Sequence, residues 1–324
     1  MDAGSLIEKL RPAGLAAVRI AAVAASLALI APATGEAAGG HLLYASHGSL
    51  FSVPAAGGTP RKVAGVPAGT IDLSASRDGR RVALIANRKL PGRGRGSIRS
   101  IYLFRPGHGL QRVRRFRSTA PLDIAISPDG RSIAFGQASE IWLMPASGGN
   151  ARQVTDGPSV AWDPAFTPDG RALVFDRDAA AGPGHRPQLF RQSLGGGAEV
   201  QLSEDEGRRP AISPTGLLLY LRPGEGQVES RLIVMHLDGS GRRTVDRYED
   251  PFFDLGASFS PSGRSIAYLR LWERNGYAVN YRYSIHTKTI AGRHHRKIVG
   301  GIRSAARRAP LFGHGPAGPV WVPW

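Results

Sequence analysis

The sequence contains no cysteine among its 324 residues. That absence excludes disulfides, thiolate metal sites, cysteine nucleophiles and a lipid-modified N-terminal cysteine. The chain also has no Gly-x-Ser-x-Gly motif, which is the nucleophile elbow of α/β-hydrolases. These absences remove the commonest nucleophilic sites, and we predict that the protein is not an enzyme.

Long hydrophobic runs are also scarce. The apolar stretch 20–31 follows Lys9, Arg11 and Arg19 and ends among small residues, and it is short for a membrane span of about 20 residues. A basic N-terminal region, an apolar segment and a cleavage region of small residues are typical of a secretory signal peptide. We therefore predict that residues 1–38 are a signal peptide, with an uncleaved N-terminal anchor as the alternative. The protein would be exported, whether secreted, periplasmic or associated with the cell envelope, with no transmembrane domain after cleavage.

Glycine and proline, in contrast, are plentiful and dispersed, with 42 and 24 copies. One turn, Ser127-Pro128-Asp129-Gly130-Arg131, stands before a strand-like Ser-Ile-Ala-Phe segment. Proline suits the turn entry, aspartate can bond its own downstream backbone, and glycine suits a positive φ. Related turns recur at intervals of 40 to 51 residues, which is the pattern of a repeat protein. Their glycines are Gly79, Gly130, Gly170, Gly216 and Gly263.

Each complete repeat reads as four short strands. Four-stranded units of about 40–50 residues indicate a β-propeller, whereas a β-sandwich would not require the same turn at the same point of every unit. The first unit, 41–66, lacks one strand, and the chain end at 318–324 can supply it. We therefore predict an all-β, six-bladed propeller over residues 41–324, closed by the C-terminal strand in the N-terminal blade.

The repeat resembles a known family. The run Ser-Pro-Asp-Gly-Arg-x-Ile-Ala-Phe, then Ile-Trp-x-Met, a Gly-Gly turn and a short strand ending in Val-Thr, is similar to the WD-like repeat of TolB-like β-propellers. The resemblance implies a binding platform, usually for another protein. We expect a monomeric protein-binding or scaffold module without catalysis. The alternative is a glycan or small-molecule enzyme, of the lyase or hydrolase kind, that uses the channel mouth.

Three aspartates occupy one repeat position. Asp72, Asp123 and Asp163 each lie seven residues before a turn glycine, on the strand that lines the channel of a propeller. We predict no cofactor. The one candidate is a calcium ion, which the three carboxylates would hold if they gather at one mouth, because calcium needs several oxygen ligands. The alternative is that each accepts hydrogen bonds from backbone amides of a neighbouring blade. The equivalent residues elsewhere are Arg209, Gly256 and Gly318.

The net charge of +17 suggests a second kind of partner. Basic clusters favour polyanions through counterion release, and an exported protein would meet anionic envelope polymers or lipid headgroups rather than nucleic acid. The alternative is a general preference for arginine over lysine. The basic-patch candidates are Arg88, Arg93, Arg95, Arg114, Arg115, Arg296 and Lys297.

Two further expectations concern the strands and loops. Recurrent third-strand aromatics are predicted to pack between blades, and they are Phe51, Tyr102, Trp142 and Phe190. Binding specificity is predicted to lie where the repeats disagree, chiefly in 88–99, 178–187, 222–230 and 300–317.

Overall fold

In the computed structural model all the described residues belong to one compact unit, Glu36–Trp324. The predicted signal peptide, residues 1–38, lies outside the described residues. No helix in the described part of the chain has the length and apolar character needed to cross a bilayer. The described residues are 39–89, 97–116, 121–157, 159–178, 186–223, 230–245, 253–272, 282–291, 294–303 and 318–324.

The described residues form six antiparallel sheets of four strands, which confirms the predicted six-bladed propeller. Each blade has an inner first strand, then a second, a third and an outer fourth strand. The first strands, taken from blade 1 to blade 6, are β24 (Val320–Val322), β4 (Thr70–Ala75), β8 (Ile124–Ile126), β12 (Ala161–Phe166), β16 (Arg208–Ile212) and β20 (Phe253–Phe259). The second strands are β1 (His41–Ser46), β5 (Val82–Lys89), β9 (Ser132–Gln137), β13 (Ala172–Asp178), β17 (Leu217–Pro223) and β21 (Ser265–Trp272).

The third and fourth strands complete each blade, and the fourth strands differ most in length. The third strands are β2 (Ser49–Pro54), β6 (Ser97–Arg105), β10 (Glu140–Pro145), β14 (Pro187–Ser193), β18 (Ser230–His236) and β22 (Arg282–Thr289). The fourth strands are β3 (Arg61–Gly65), β7 (Gly109–Phe116), β11 (Arg152–Gln153), β15 (Val200–Gln201), β19 (Arg243–Thr244) and β23 (Arg296–Arg303). The fourth strands of blades 3, 4 and 5 thus have two residues each, whereas those of blades 6, 1 and 2 have five to eight.

Blade 1 is closed by the C-terminus, as predicted. Strand β24 pairs antiparallel with β1, so that Leu42 lies opposite Trp321. The Trp321 indole is buried and its Nε1 donates to the Gly39 carbonyl at 3.0 Å. This pairing joins the two ends of the array, so the first blade presents no unpaired inner edge.

The recurrent turn has the expected geometry. Gly130 has a φ of +70°, a value that side-chain-bearing residues rarely adopt. The Asp129 carboxylate accepts from the Arg131 amide at 3.0 Å and from the Ser127 hydroxyl at 2.5 Å. The hydroxyl bond is the main reason that the pKa of Asp129 is lowered. The turn is therefore a locally encoded unit, and its repetition sets the blade spacing.

The core lies between adjacent blades. Phe135 and Phe175 are fully buried on β9 and β13, and their blades contribute to separate apolar clusters at successive interfaces. Each of the predicted third-strand aromatics packs against such a cluster while remaining partly buried. Their assignment to the inter-blade core is confirmed.

Candidate functional site: the carboxylate mouth of the channel

The first strands surround a central cavity of about 290 Å³. All six strands run in the same direction along the channel, from the repeat position that holds aspartate in blades 2, 3 and 4 towards the turn. The residues at that position all line the cavity, and they are Asp72, Asp123, Asp163, Arg209, Gly256 and Gly318. We call the end of the channel that carries Asp72, Asp123, Asp163 and Arg209 the carboxylate mouth. The alignment of the repeats thus identified residues that lie together in space.

Two of the three aspartates bond backbone amides of the next blade. Asp72 accepts from the Leu73 amide in its own blade and from the Ile124 amide in blade 3, both at 2.9 Å. Asp123 accepts from Gly136 at 2.7 Å and from the Asp163 amide in blade 4 at 3.0 Å. Both oxygens of each carboxylate therefore accept a backbone hydrogen bond. This is the arrangement that the sequence analysis gave as the alternative to metal binding.

A fourth carboxylate continues this series. Asp176, on β13, is buried, and its Oδ1 accepts from the Arg209 amide of blade 5 at 3.2 Å. It stands six residues after its turn glycine, where blade 3 has Gly136. Blade 3 therefore supplies the linking carboxylate from its first strand, and blade 4 supplies it from its second. In the sequence, Asp176 is recognisable as a charged residue at the end of the apolar segment 172–176. The alignment of the repeats does not identify it, because no other repeat has a carboxylate at that position.

Burial changes the acidity of these groups. It raises the pKa of Asp72 to about 8, with the nearby charge of Asp163 adding to the rise and the Ile124 amide opposing it. Burial likewise raises the pKa of Asp123 and of Asp176, and Asp163 again adds to the effect. These buried aspartates therefore keep their protons at pH values at which exposed aspartates have already lost theirs.

Asp163 differs from its neighbours. Its φ is +50°, and Arg209, the next residue around the mouth, has a φ of +53°. The pairing register shifts at both places, so a β-bulge turns each side chain away from the regular pleat. Asp163 Oδ2 lies 3.9 Å from Arg209 Nε, and the side chains are 20 % and 19 % exposed. Within the described residues Arg209 is the only ion-pair partner of Asp163.

The metal prediction stays a prediction. Among the described residues no group of three or more histidine, aspartate and glutamate side chains is arranged to hold a metal ion. Calcium at the mouth would have to compete with the backbone amides for the oxygens of Asp72 and Asp123.

The opposite end of the channel carries an unexpected side chain. Arg77 stands where the other turns have proline, and its amide donates to the Pro128 carbonyl at 3.0 Å. Its guanidinium reaches past blade 3 to the Pro168 carbonyl of blade 4 at 2.9 Å. Arg77 thus extends across part of the turn end of the channel, whereas Asp163 and Arg209, which combine charge with a positive φ, lie at the carboxylate mouth.

Comparison with known proteins identifies the repeat. The family model described as the TolB beta propeller domain matches residues 109–300, more than half of the chain. The chain belongs to the TolB β-propeller family.

Three of the individual proteins that this chain resembles share 30 % sequence identity or less with it. An uncharacterized protein of Agrobacterium fabrum is 30 % identical over 162 residues, which cover 45 % of this chain and 50 % of that protein. The chain thus matches half the length of this curated relative. TolB from Acinetobacter baumannii has a TM-score of 0.62 at 18 % identity, covering 90 % of this chain and 68 % of that one. A putative TolB from Agrobacterium tumefaciens has a TM-score of 0.59 at 19 % identity, covering 82 % and 95 %. These two likenesses establish the fold alone.

The second and third strands that flank three of the predicted specificity segments meet at the end of the channel that carries the carboxylate mouth. Arg177, near the end of β13, pairs with Ala161 at the start of β12, and the corresponding pair in blade 5 is Leu221 with Arg208. The connections from second to third strands therefore leave the blades at the end of the channel that carries the carboxylates. Residues 90–96, 179–185, 224–229 and 304–317 of the predicted specificity segments lie outside the described residues.

None of the predicted basic residues that the structure describes lines the central cavity. Arg88 is exposed near the end of β5, and Arg93 and Arg95 lie outside the described residues. Arg115 is exposed on β7, whereas Arg114 is half-buried with its guanidinium 5.4 Å from the ring centre of Phe116. Arg296 and Lys297 are exposed at the start of β23. The described members, apart from Arg88, therefore lie on outer strands.

Proposed function

We propose that this protein is an exported binding module that recognises a segment of another protein at the carboxylate mouth and catalyses no reaction. The observation that carries the proposal is the pair formed by Asp163 and Arg209. Both residues have a strained backbone, both side chains are partly exposed in the cavity, and 3.9 Å separates their charged atoms. Strain of this kind costs about 1–3 kcal/mol per residue and is concentrated at ligand-binding sites.

The pair suits a polypeptide ligand. Asp163 can accept an N–H or ammonium group, and Arg209 can donate to a carbonyl or carboxylate oxygen. The cavity of about 290 Å³ is just below the usual range for ligand pockets, which is roughly 300–1,000 Å³. It suits a short extended segment or a pair of side chains.

The hydrogen bonds of the other carboxylates favour binding over catalysis. A general base needs a carboxylate that is free to take a proton from the substrate. Asp72 and Asp123 already accept backbone hydrogen bonds that link blades 2, 3 and 4, so neither side chain is free to approach a proton of a substrate. Asp163 remains as the carboxylate available to a ligand.

Export is part of the same proposal. It rests on the basic and apolar leader of residues 1–38 and on membership of a family named after TolB.

The test is quantitative capture of envelope proteins on the immobilised chain. We expect Asp163→Asn and Arg209→Asn, which tolerate a positive φ better than other substitutions, to abolish capture of the major partner. Asp156→Asn is the matched control, because Asp156 is an exposed aspartate outside the mouth. Equal capture by the wild type and by the Asp163→Asn and Arg209→Asn variants, with all three proteins folded, would contradict the proposal.

A second candidate function is favoured by the convergence of carboxyl groups at one mouth. An enzyme needs polar residues brought together, and Asp72 with a pKa of about 8 could donate a proton at neutral pH. The reaction would be glycan hydrolysis or elimination. Turnover of a polysaccharide panel that is lost in Asp163→Asn and kept in Asp156→Asn would support the enzyme. Absence of turnover at substrate saturation would leave the binding module.

A further inference from the structure

Positive charge is distributed unevenly along the chain. Two of the 25 acidic residues, Asp72 and Asp78, lie between residues 37 and 122, and none lies between residues 274 and 324. The same two ranges hold 24 of the 42 lysine and arginine residues. Residues 123–273 instead hold 20 acidic and 15 basic residues. The excess positive charge therefore belongs to the two ends of the propeller sequence.

Ring closure joins those ends. Because β24 pairs with β1, blade 6 neighbours blade 1, which neighbours blade 2. Arg296 of blade 6 donates to the Ala56 carbonyl of blade 1, so the basic outer part of one blade touches the next. We call blades 6, 1 and 2 together the basic sector. A feature that is split in the sequence is continuous around the ring.

The basic sector also has the long outer strands. β23, β3 and β7 have eight, five and eight residues, and no acidic residue occurs on any of them. The exposed basic side chains on these strands are Arg61, Lys62, Arg112, Arg115, Arg296 and Lys297. The rim of three successive blades is therefore a cationic surface.

Two simpler explanations fit less well. A general preference for arginine would add arginine to every blade, but it would not reduce the acidic residues to two in 37–122 and none in 274–324 while 20 remain in residues 123–273. Charged residues also protect exposed sheet edges from pairing with other chains. That protection works with either sign, so it does not account for a surface of one sign.

We propose that the rim of the basic sector binds a flexible linear polyanion, an acidic polysaccharide, which follows the outer strands β23, β3 and β7. Arginine guanidinium groups match carboxylates with two parallel hydrogen bonds. The rim of a ring is convex, so a flexible chain can contact three blades where a planar bilayer would contact fewer. The two large apolar side chains exposed in the described part of the chain are Val63 and Val200. The described rim thus has no exposed phenylalanine, tyrosine or tryptophan to anchor in a bilayer interface or to stack on nucleic acid bases.

The experiment measures binding of alginate, a linear polyuronate, by the full chain as a function of salt. A rim variant neutralises five exposed residues on the outer strands, and a matched control neutralises five exposed arginines of blades 3, 4 and 5, so that both lose the same charge. The rim variant changes Arg61, Lys62, Arg112, Arg115 and Lys297 to glutamine. The control changes Arg131, Arg171, Arg186, Arg191 and Arg231 to glutamine.

We expect the rim variant to bind alginate about tenfold more weakly or worse, with a shallower salt dependence, because fewer counterions are released. The control should stay within about twofold of the wild type at 0.15 M salt, where charges on the far side of the ring are screened. An equal loss in both variants would overturn the proposal in favour of diffuse charge. Thermal melts of both variants establish that they are folded.

Two further arms identify the ligand class. Affinity should rise with alginate length, so di- and trisaccharides that bind as tightly as long chains would overturn a site spread over three blades. Single-stranded DNA and phosphatidylglycerol vesicles are the competing probes. Tighter binding of either probe than of alginate at equal charge concentration, lost in the rim variant, would overturn the polysaccharide assignment.

Discussion

Asp123 occupies the space next to Gly136 that a side chain would need. A β-carbon on Gly136 would lie 2.6 Å from Asp123 Oδ1, and the Gly136 amide donates to that same oxygen at 2.7 Å. The absence of a side chain at Gly136 thus leaves room for the Asp123 carboxylate between blades 3 and 4, where it accepts a hydrogen bond from the Asp163 amide. This arrangement connects the strand pairing of one blade to the geometry of the candidate site in the next.

Gly136→Ala should therefore destabilise the protein by about 1–3 kcal/mol, because it displaces a buried, hydrogen-bonded carboxylate. Urea denaturation measures the loss. Gly65→Ala is the control, since a β-carbon there meets no atom within 4 Å. Equal denaturation midpoints for the two variants would show that Asp123 is not held as described.

Acidification should stabilise the fold between about pH 8 and pH 4. A carboxyl group whose pKa is raised in the folded state binds its proton more tightly there than in the unfolded chain, where the pKa is about 3.9. Its stabilising contribution is therefore complete at low pH and is lost as the pH rises to about 8, the value for Asp72. Asp123 and Asp176 act in the same direction.

The measurement for that prediction is Tm at pH 5 and pH 8 for the wild type and Asp72→Asn. The wild type should melt at the higher temperature at pH 5, and the variant should show a smaller difference between the two values. Asp156→Asn should behave like the wild type. A variant with an unchanged pH dependence would remove Asp72 from the explanation.

Trp321→Ala should weaken the closure of the ring. The substitution removes a buried aromatic from the cluster around Leu42 and Tyr283 and deletes the hydrogen bond to Gly39. Large aromatic-to-alanine changes in a core cost about 3–5 kcal/mol. Chemical denaturation measures the loss of unfolding free energy, and Val63→Ala, a substitution at an exposed position, is the control. A loss below about 1 kcal/mol would contradict a closing role for the C-terminal strand.

Arg77→Ala should have a smaller effect, about 0.5–1.5 kcal/mol, because one hydrogen bond to the Pro168 carbonyl is lost while the backbone bond to Pro128 remains. Arg80→Ala, another exposed arginine of the same turn, is the control. If the two variants have the same stability, the Arg77 guanidinium does not brace the turn end of the channel.

The fold was predictable from sequence because its signals are local and repeated. The turn at Ser127–Arg131 needs only its own residues to form, and five related turns in register define the blades. That register also located the carboxylate mouth, since Asp72, Asp123 and Asp163 share one repeat position.

The finer chemistry of the mouth was not predictable in this way. The positive φ of Asp163 and Arg209 results from bulges in the first strands, and no residue pattern in one strand specifies where its pairing slips. Asp176 and Arg77 act on neighbouring or more distant blades, so their roles depend on contacts between repeats. The basic sector likewise exists only once the ring has closed.

Site-specific photocrosslinking in cells tests most directly whether the carboxylate mouth is a protein-binding site. A photoreactive residue replaces Ala165, which lines the cavity beside Asp163, or Gln153, which is exposed on the outer strand of blade 3. Our account predicts a discrete crosslinked partner from position 165 that disappears with Asp163→Asn and is absent from position 153. Crosslinks of equal yield from both positions, or from position 165 regardless of Asp163, would contradict it.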